Sequence, residues 1–376
     1  MPPTPISFAR GAPALDLIPA AELAECAYAV ARREGAALFA YGPIGGYGPL
    51  REWVAARHRV EASRVVLTVG GLQGFVFYAA QQLARRPGRV LVEAPTYDRP
   101  LKILAREGAE IVAVRMDDEG LDPDALEAEL GRDSEPPSFL YTIPTFQNPS
   151  GRSLSVERRR RIVEIAVAHR LAVLEDDPYG LVRYEGDALP SLHDLEGGEL
   201  VSYTSSFSKT VAPGLRTGYF VLPVDTAAAF EERAVSTYIS PPFPAQATIA
   251  EFIARGHFEL NLARVCSELR ARRDAMIGTL ERSFPAGSSW SRPEGGYFVW
   301  LDLPDGVTTA ELMTRAELAE VAFVRGEDFF PRGTGLGRSS ARLAFSWESP
   351  ARIVEGVERL AALVDVSTRF VGAPRA

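Results

Sequence analysis

Lysine is nearly absent from this chain of 376 residues. Of its 41 basic residues, only Lys102 and Lys209 are lysines, and the other 39 are arginines. A guanidinium group stays protonated in proteins, whereas a lysine amine loses its proton in a suitable site and then acts as a nucleophile. A chain that uses arginine for almost all its positive charge still needs lysine where an amine has to react. We therefore expect at least one of the two lysines to have a chemical role.

Cysteine is also scarce, and several other features are missing. Cys26 and Cys266 are too few for a disulfide framework and lack the spacing of a metal site, which favours a reducing cytoplasm. The N-terminal sequence has neither the basic start nor the apolar core of a secretion signal. The formal net charge of −8 gives no general attraction to nucleic acid or to an anionic membrane. These absences predict a cytoplasmic protein with no nucleic-acid partner.

Charge is missing from the run 65–84, which is long enough to span a bilayer. The run contains Gly70, Gly71 and Gly74, and its first part is rich in β-branched residues. A buried strand, a glycine turn and a helix explain this pattern better than a membrane span. The sequence therefore predicts no membrane partner.

Apolar runs alternate with amphipathic segments from residue 64 to about residue 222, as in an α/β protein. The runs are continuously apolar, which is typical of strands in a sheet that helices cover on both faces. Between two of them, 155–169 has Ser155 as its cap and a helical apolar period. We predict a large domain with a mainly parallel seven-stranded sheet, with strands at 64–69, 89–94, 110–116, 138–143, 171–175, 200–205 and 217–222.

The pattern changes after the proline-rich segment 241–245. Strand patterns then lie between two helical regions, at 297–303, 321–325 and 341–345. This predicts a smaller α+β domain. The first 35 residues hold one helix and are too few to fold alone, so we assign them to this second domain. The predicted division is 36–244 for the large domain and 1–35 with 245–376 for the small one.

Lys209 follows a predicted strand directly. Ser206 and Lys209 have the Ser-x-x-Lys spacing of β-lactamases and penicillin-binding proteins, but the Lys-Thr-Gly strand that this chemistry also needs is missing. The remaining interpretation is that the Lys209 amine itself reacts, by forming a Schiff base. Lys102 has the context of a helix surface, so we interpret it as a surface lysine.

Other polar residues follow strands of the same predicted sheet, where α/β proteins bind ligands. Asp176 lies in the run 174–179 and Asn148 in the loop 144–151, where a capped turn and an ordinary loop are the alternatives to a binding site. The turn at 70–74 has small residues that let helix N–H groups bind a phosphate, although it matches neither the Walker nor the Gly-x-Gly-x-x-Gly pattern.

Two arginines extend this set. Arg216 lies seven residues after Lys209 and could pair with the same anion, and Arg342 is a lone charge in the apolar strand 341–345, either a strand-edge residue or a carboxylate clamp. A Schiff-base lysine, an aspartate, an asparagine and a phosphate-binding turn are the parts needed to hold pyridoxal 5′-phosphate (PLP).

Six segments carry a resemblance to a known family. The chain resembles the class I and II aminotransferases along nearly its whole length, and within them the group of 2-aminoadipate and kynurenine aminotransferases. The segments are 41–51, 93–97, 141–151, 175–180, 206–216 and 293–300. The resemblance implies an α/β fold of the PLP-dependent transferases, fold type I, with PLP as cofactor and a homodimer that shares its active sites.

The resemblance also implies a role for particular residues. Lys209 would hold the cofactor as a Schiff base and move protons, and Asp176 would contact the pyridine nitrogen and keep the ring protonated. Tyr179 and Asn148 would bond the phenolic oxygen, and Tyr97 would stack on the ring. The implied phosphate ligands are Ser206, Ser208, Arg216, the amides of Gly71 and Leu72, and Tyr41 of the neighbouring subunit. The implied substrate ligands are Arg342 and Asn148 for the α-carboxylate, with Gly11 at the site mouth.

The sequence departs from the family pattern at Gly71 and at Arg325. Gly71 stands where serine or threonine is usual, so only a backbone contact to the phosphate is expected there. Arg325 stands where the related Phe-Val-Pro-Gly motif has proline.

Three functions follow from this resemblance. The first is an aminotransferase that moves the amino group of an L-amino acid to a 2-oxo acid, with 2-oxoglutarate as the expected acceptor. The second is a PLP-dependent lyase or decarboxylase on the same scaffold. The third is a ligand-sensing regulator, which needs a DNA-binding domain that the ten residues before Gly11 are too short to form. The donor side chain stays open, because Arg10, Arg99 and Arg325 suit an acidic side chain and Tyr238 and Phe243 an apolar one.

Overall fold

The structure is a computed structural model that describes residues 5–132 and 135–371, with the side chains of 365–371 left out. Its strands are β1 (Ile6–Ser7), β2 (Val65–Thr68), β3 (Arg89–Ala94), β4 (Glu110–Asp117), β5 (Gly120–Leu121), β6 (Phe139–Thr142), β7 (Val173–Asp176), β8 (Val201–Ser206), β9 (Gly218–Val221), β10 (Ser289–Trp290), β11 (Phe298–Asp302), β12 (Val321–Ala322), β13 (Val324–Arg325) and β14 (Ser340–Ala344). Its helices are α1 (Ala20–Glu34), α2 (Gly48–His58), α3 (Gly71–Arg85), α4 (Asp98–Arg106), α5 (Pro123–Leu130), α6 (Val156–His169), α7 (Leu192–Glu196), α8 (Val224–Tyr238), α9 (Phe243–Ala254), α10 (His257–Ser283), α11 (Thr309–Leu318) and α12 (Pro350–Val371).

The large sheet has the strand order β2-β9-β8-β7-β6-β3-β4-β5. Strands β3, β4, β6, β7 and β8 are parallel, and β9 runs antiparallel to both β2 and β8. All seven predicted strands are present, and the sheet is mainly parallel as expected. The eighth strand, β5, pairs antiparallel with the end of β4. It was not predicted because two residues are too short to produce an apolar period.

Helices cover both faces of this sheet, which explains why its strands are continuously apolar. In β3, Val90 and Val92 pack with α3 and α4, whereas Leu91 packs with the opposite layer, which includes Ile162 and Ile165 of α6. All three β3 residues are fully buried. Successive strand residues therefore enter different hydrophobic layers.

The uncharged run 65–84 forms β2, a turn and most of α3, as expected. Gly70 makes the turn with a φ of 79°, a conformation that favours glycine. The predicted cap of α6 is also confirmed, since the Ser155 side chain accepts a hydrogen bond from the Arg158 amide. Within the described residues, no helix is long and apolar enough to cross a membrane.

A second sheet has the order β10-β11-β14-β13, and its paired strands are antiparallel. The region predicted as one strand at 321–325 contains two, because β12 leaves this sheet to pair with β1 near the N-terminus. β10, with two residues, was not predicted. Ile6 and Phe8 pack in the core around this sheet, whereas Cys26 and Val30 of α1 pack in the core beneath β2 and β9. The proposed boundaries, 36–244 for the large domain and 1–35 with 245–376 for the small one, remain a prediction.

Candidate active site

The carboxyl ends of β6, β7 and β8 lie side by side, because these three strands are parallel neighbours. β2 runs in the same direction as β8, since both are antiparallel to β9, and α3 follows β2. The loops that carry Asn148, Asp176, Lys209 and the start of α3 therefore emerge at one edge of the sheet. This is the edge at which α/β proteins bind ligands.

Lys209 is half-buried at this edge. Its Nζ donates a hydrogen bond of 2.6 Å to the carbonyl oxygen of Gly11, from a segment 198 residues away in the sequence. The same Nζ lies 5.3 Å from the ring centre of Tyr297 and 5.6 Å from that of Tyr179. The Tyr297 hydroxyl donates to the backbone oxygen of Lys209, at 2.9 Å. The amine is thus held by a backbone oxygen between aromatic rings.

These surroundings change the acidity of the amine. Burial lowers the pKa of Lys209 to about 8, and the positive charges of Arg342 and Arg216 act in the same direction. The negative charge of Asp176 opposes them. At neutral pH part of this amine is therefore unprotonated, and the unprotonated form is the one that acts as a nucleophile or a base.

Asp176 ends β7 and faces the same space. Its Oδ2 accepts a hydrogen bond of 2.7 Å from the Tyr141 hydroxyl. Burial raises the pKa of Asp176 to about 7, although the Tyr141 hydrogen bond and the Lys209 charge both lower it. A positive charge placed against this carboxylate would restore its ionised form, so the site favours a cationic group such as a protonated pyridine nitrogen.

Arg342 and Asn148 form a buried pair across the two sheets. The Nη1 of Arg342 donates to the Oδ1 of Asn148 at 3.0 Å, and its Nη2 donates to the carbonyl oxygen of Ala9 at 2.9 Å. The guanidinium lies 4.4 Å from the ring centre of Phe298 and 5.0 Å from that of Phe329. Arg342 is 7% exposed, and its partners are neutral oxygens. A buried cation in this setting suits a carboxylate ligand.

The start of α3 suits an anion. Its cap residue, Gly70, provides no side-chain hydrogen bond to the first helical amides, which include those of Gly71 and Leu72. A Cβ on Gly71 would meet nothing within 4 Å, so the side-chain position of Gly71 faces open space. A Cβ on Gly70 would lie 2.4 Å from the Nη2 of Arg216, which places this guanidinium beside the turn.

Two serines add hydroxyl groups at the end of β8. The Ser206 Oγ lies 2.8 Å from the Ser208 Oγ and accepts a hydrogen bond of 3.1 Å from the Ser208 amide. Free amides, two hydroxyls and a guanidinium are the donors that a phosphate monoester needs. With the Lys209 amine and the Asp176 carboxylate at the same edge, the residues present fit PLP.

The three tyrosines that were predicted to contact the cofactor differ in how deeply they are buried. Tyr179 is 3% exposed, and its ring packs on Tyr297 and Phe298 with centroid distances of 5.4 and 5.7 Å. Tyr97 is half-buried at the start of α4, and burial raises its pKa to about 12. Tyr41 differs from both, because 80% of it is exposed in the loop before α2.

Sequence reasoning missed three residues that support the site: Tyr141, Tyr297 and Glu93. Glu93 is the last residue but one of β3 and is fully buried, and its carboxylate accepts hydrogen bonds from the Thr142 hydroxyl at 2.5 Å and from the Gln147 side-chain amide at 2.8 Å. It therefore fixes the loop that carries Asn148. The available signal was a polar group inside an apolar strand pattern, at 89–94 for Glu93 and at 138–143 for Tyr141.

The residues considered for the donor side chain also differ from one another. Arg99 lies 3.6 Å from Asp98, and Arg325 lies 3.4 Å from Asp328, so both have carboxylate partners. Arg10 instead lies over the Trp347 ring, 3.9 Å from its centre. The apolar candidates pack on other rings: Tyr238 stacks on Phe77, and Phe243 packs edge-on against Tyr47.

Comparison with known families decides between the chemistries that such a site allows. The sequence model for aminotransferase class I and II matches residues 3–348. The chain belongs to the class I and II aminotransferases. It is therefore a PLP-dependent aminotransferase that acts on amino acids and 2-oxo acids, and the lyase or decarboxylase alternative gains no support.

Individual relatives of this aminotransferase agree over almost the full chain. A 2-aminoadipate transaminase from Thermus thermophilus is 35% identical over 358 residues, which are 94% of this chain and 89% of the relative. An aromatic-amino-acid aminotransferase from Thermococcus litoralis is 32% identical over 370 residues, 95% of this chain and 87% of the relative. The predicted resemblance to the 2-aminoadipate group is thus confirmed.

A solved structure gives the same result for the fold. The α-aminoadipate aminotransferase of Thermus thermophilus, complexed with N-(5′-phosphopyridoxyl)-L-leucine, superimposes with a TM-score of 0.92 and 34% identity. The match covers 97% of this chain and 93% of that one. The predicted PLP-dependent transferase fold, fold type I, is therefore confirmed.

Proposed function

We propose that this aminotransferase uses Lys209, Asp176 and Tyr179 as catalytic residues and 2-oxoglutarate as its amino acceptor. The observation that carries the proposal is the Lys209 amine. Burial lowers its pKa to about 8, and it is hydrogen-bonded to a backbone oxygen at the edge where Asp176 and Arg342 also lie. An amine in this state accepts and returns a proton near neutral pH.

PLP supplies an aldehyde that exchanges for the substrate's amino group and a ring that takes up electrons. With PLP bound, Lys209 would remove the proton from the Cα of the amino acid and would later return a proton to the carbon of the 2-oxo acid that becomes the Cα of the product amino acid. Asp176 holds a proton on the ring nitrogen, and Tyr141 keeps that carboxylate in place through its 2.7 Å hydrogen bond. Tyr179 bonds the phenolic oxygen.

Asn148 has two partners in this scheme. Its Oδ1 accepts from Arg342, so its NH₂ group is left to donate to the phenolic oxygen. Arg342 binds the substrate α-carboxylate by a two-point contact, and Gly11 lines the space beside it. This fixes the direction of the Cα–H bond.

The remaining proposed ligands hold the cofactor itself. Tyr97 would stack on the ring, since it lies close enough to the site for the charges of Asp176 and Arg342 to act on its hydroxyl. The phosphate is bound by Ser206, Ser208, Arg216 and the Gly71 and Leu72 amides.

We propose a homodimer with shared sites, in which Tyr41 reaches the phosphate bound by the partner subunit. Tyr41 is 80% exposed, and two more exposed aromatic residues are near in sequence, Phe39 at 70% and Tyr28 at 67%. Exposed apolar side chains in one region are typical of an interface. Sedimentation of the PLP-loaded enzyme should give a dimer, and a monomer at all concentrations would contradict this assembly.

The proposed location is the cytoplasm. It is supported by Cys26 and Cys266, which form no disulfide bond.

The reaction can be tested with a panel of amino donors. The PLP-loaded enzyme is mixed with 2-oxoglutarate and acidic, aromatic or aliphatic L-amino acids, and glutamate is measured. Glutamate from at least one donor class is expected. Glutamate from none, with release of ammonia or carbon dioxide instead, would contradict transfer to 2-oxoglutarate.

The attachment site can be tested independently. Borohydride reduction of the PLP-loaded enzyme, followed by peptide mapping, should leave the pyridoxyl group on Lys209. Lys102 is the internal control, because it is the second lysine of the chain. A label on Lys102, or on neither lysine, would contradict the assignment.

A further inference from the structure

A second group of polar side chains lies at the opposite edge of the large sheet. His58 ends α2, and His193 and Asp194 lie in α7. Strands β2 and β8 begin near these segments, at Val65 and Val201, whereas the cofactor site lies where the parallel strands end. The group therefore is separate from the active site, and it contains two of the chain's four histidines.

The three side chains have the spacing of a small metal site. One ligand atom from each of His58, His193 and Asp194 lies within 4.8 Å of the other two. His58 is 9% exposed and His193 is 2% exposed, while Asp194 is exposed. Within the residues that the structure describes, this is the one group of three or more such ligands.

The group borders a surface cavity of about 610 Å³. The cavity wall also contains Arg59, Arg64 and Glu61, so its charged lining balances two arginines against two carboxylates. Arg64 already has other partners: its Nε donates to the Leu222 carbonyl at 2.9 Å, and its guanidinium also bonds the Gly198 carbonyl. The charged lining therefore has no net positive charge that would repel a cation.

The histidine rings are available as ligands. Both ring nitrogens of His193 are buried and have no hydrogen-bond partner among the described residues. Buried polar atoms normally have a partner, so this ring is unusual. One nitrogen of His58 lies 3.4 Å from the Tyr219 hydroxyl, which leaves its second nitrogen for another contact.

We propose that His58, His193 and Asp194 bind one divalent transition-metal ion, with zinc as the best match. Two imidazoles and a carboxylate are common zinc ligands, and a fourth position stays open for water. Zinc–ligand bonds are about 2.0–2.2 Å long, so tetrahedral ligand atoms lie about 3.4 Å apart. The three atoms lie within 4.8 Å of one another, so they need to approach each other by about 1.4 Å at most. The exposed Asp194 side chain can supply its own part of this movement by rotating toward the two imidazoles.

The test uses the PLP-loaded enzyme without a histidine tag. Equilibrium dialysis against zinc chloride should give one bound ion per chain. A cobalt(II) ion that a protein holds with a low number of ligands absorbs visible light at longer wavelengths than the cofactor does. Addition of cobalt(II) chloride should therefore produce this absorption, and added zinc should remove it by displacing the bound cobalt(II). Asp194→Asn should weaken binding, and His193→Asn should abolish both the bound ion and the cobalt spectrum.

The control is His169→Asn, which changes an exposed histidine on α6. It should leave zinc binding and the cobalt spectrum unchanged. Far-UV circular dichroism and cofactor absorbance check the fold of each variant, and Asp194→Asn carries the test if the buried His193 variant does not fold. No bound zinc in the parent enzyme, or binding that Asp194→Asn leaves unchanged, would overturn the proposal.

Discussion

The two lysines lie in opposite surroundings. Lys102 is on the surface of α4, and its Nζ lies 2.5 Å from the carboxylate of Asp98, four residues earlier. Lys209 instead lies at the end of the sheet, with its Nζ bonded to the Gly11 carbonyl and flanked by two aromatic rings. Burial beside a neutral oxygen favours the release of a proton from the Lys209 amine. The difference shows that position, more than residue type, prepares an amine for reaction.

The contrast between the two lysines is tested most strongly by removing each amine in turn. Lys209→Ala should lower kcat by about 10²–10⁴-fold, since it removes the proposed base for the Cα proton. Lys102→Ala should leave kcat and KM unchanged within about a factor of two, because an exposed ion pair contributes about 1 kcal/mol or less to stability and none to the chemistry. Glutamate formation from the preferred donor measures both variants.

The Lys209→Ala variant also needs a check that it still folds. Circular dichroism of this variant should match that of the parent enzyme, which separates lost chemistry from lost structure. Equal losses of kcat in the two lysine variants would refute the contrast between their surroundings.

The next test removes the negative charge beside Lys209. Asp176→Asn keeps the shape of the side chain and an acceptor for the Tyr141 hydroxyl, but it no longer holds a proton on the ring nitrogen. We expect kcat to decrease by about 10²–10³-fold, as for other preorganised charges in active sites. A steady-state assay at saturating substrate measures this. Activity close to that of the parent would exclude Asp176 from the catalytic set.

Local patterns explain why much of the site could be predicted. The predicted strand 89–94 matches β3 at both ends, and the strands before Asn148, Asp176 and Lys209 were placed to within about two residues. Residues at or just after the carboxyl ends of neighbouring parallel strands must lie at one edge of the sheet. The positions of the strands in the sequence were therefore enough to predict that Asn148, Asp176 and Lys209 lie together.

Contacts between distant segments could not be predicted in this way. The Lys209–Gly11 and Arg342–Asn148 hydrogen bonds join residues 198 and 194 positions apart. The polar group of Tyr141 was visible within its strand pattern, but its hydrogen bond to Asp176 was not, because that partner lies on the neighbouring strand. The split of 321–325 into β12 and β13 depends on pairing with β1, which no local period reveals.

A third test changes the cation that faces Lys209 from the second sheet. Arg342→Lys keeps the charge but loses the planar fork that bonds a carboxylate at two points. We expect KM for both the amino acid and the 2-oxo acid to increase about 10- to 100-fold, the effect of one lost hydrogen bond to a charged group. The kcat should change less. The matched control is Arg132→Lys, which replaces an exposed arginine paired with Glu129 and should change neither constant.

The smallest expected effect is a pH dependence that compares the two amines directly. In the cofactor-free protein, Lys209 should react with acetic anhydride half-maximally near pH 8, because burial lowers its pKa to about 8. A protonated amine does not react, so about a tenth of Lys209 is reactive at pH 7 and about nine-tenths at pH 9. Mass spectrometry of the two lysine peptides gives both rates, and the Lys102 peptide calibrates the reagent.

Two variants should change the labelling rate of Lys209 in opposite directions. Arg342→Gln removes a positive charge that lowers the Lys209 pKa, so labelling of Lys209 at pH 7 should become slower. Asp176→Asn removes a negative charge that raises it, so labelling at pH 8, where most Asp176 is ionised, should become faster. A change of half a pKa unit alters the unprotonated fraction about threefold below the pKa. If both variants moved the rate in the same direction, the charges around Lys209 would not set its acidity, and burial alone would have to explain the contrast with Lys102.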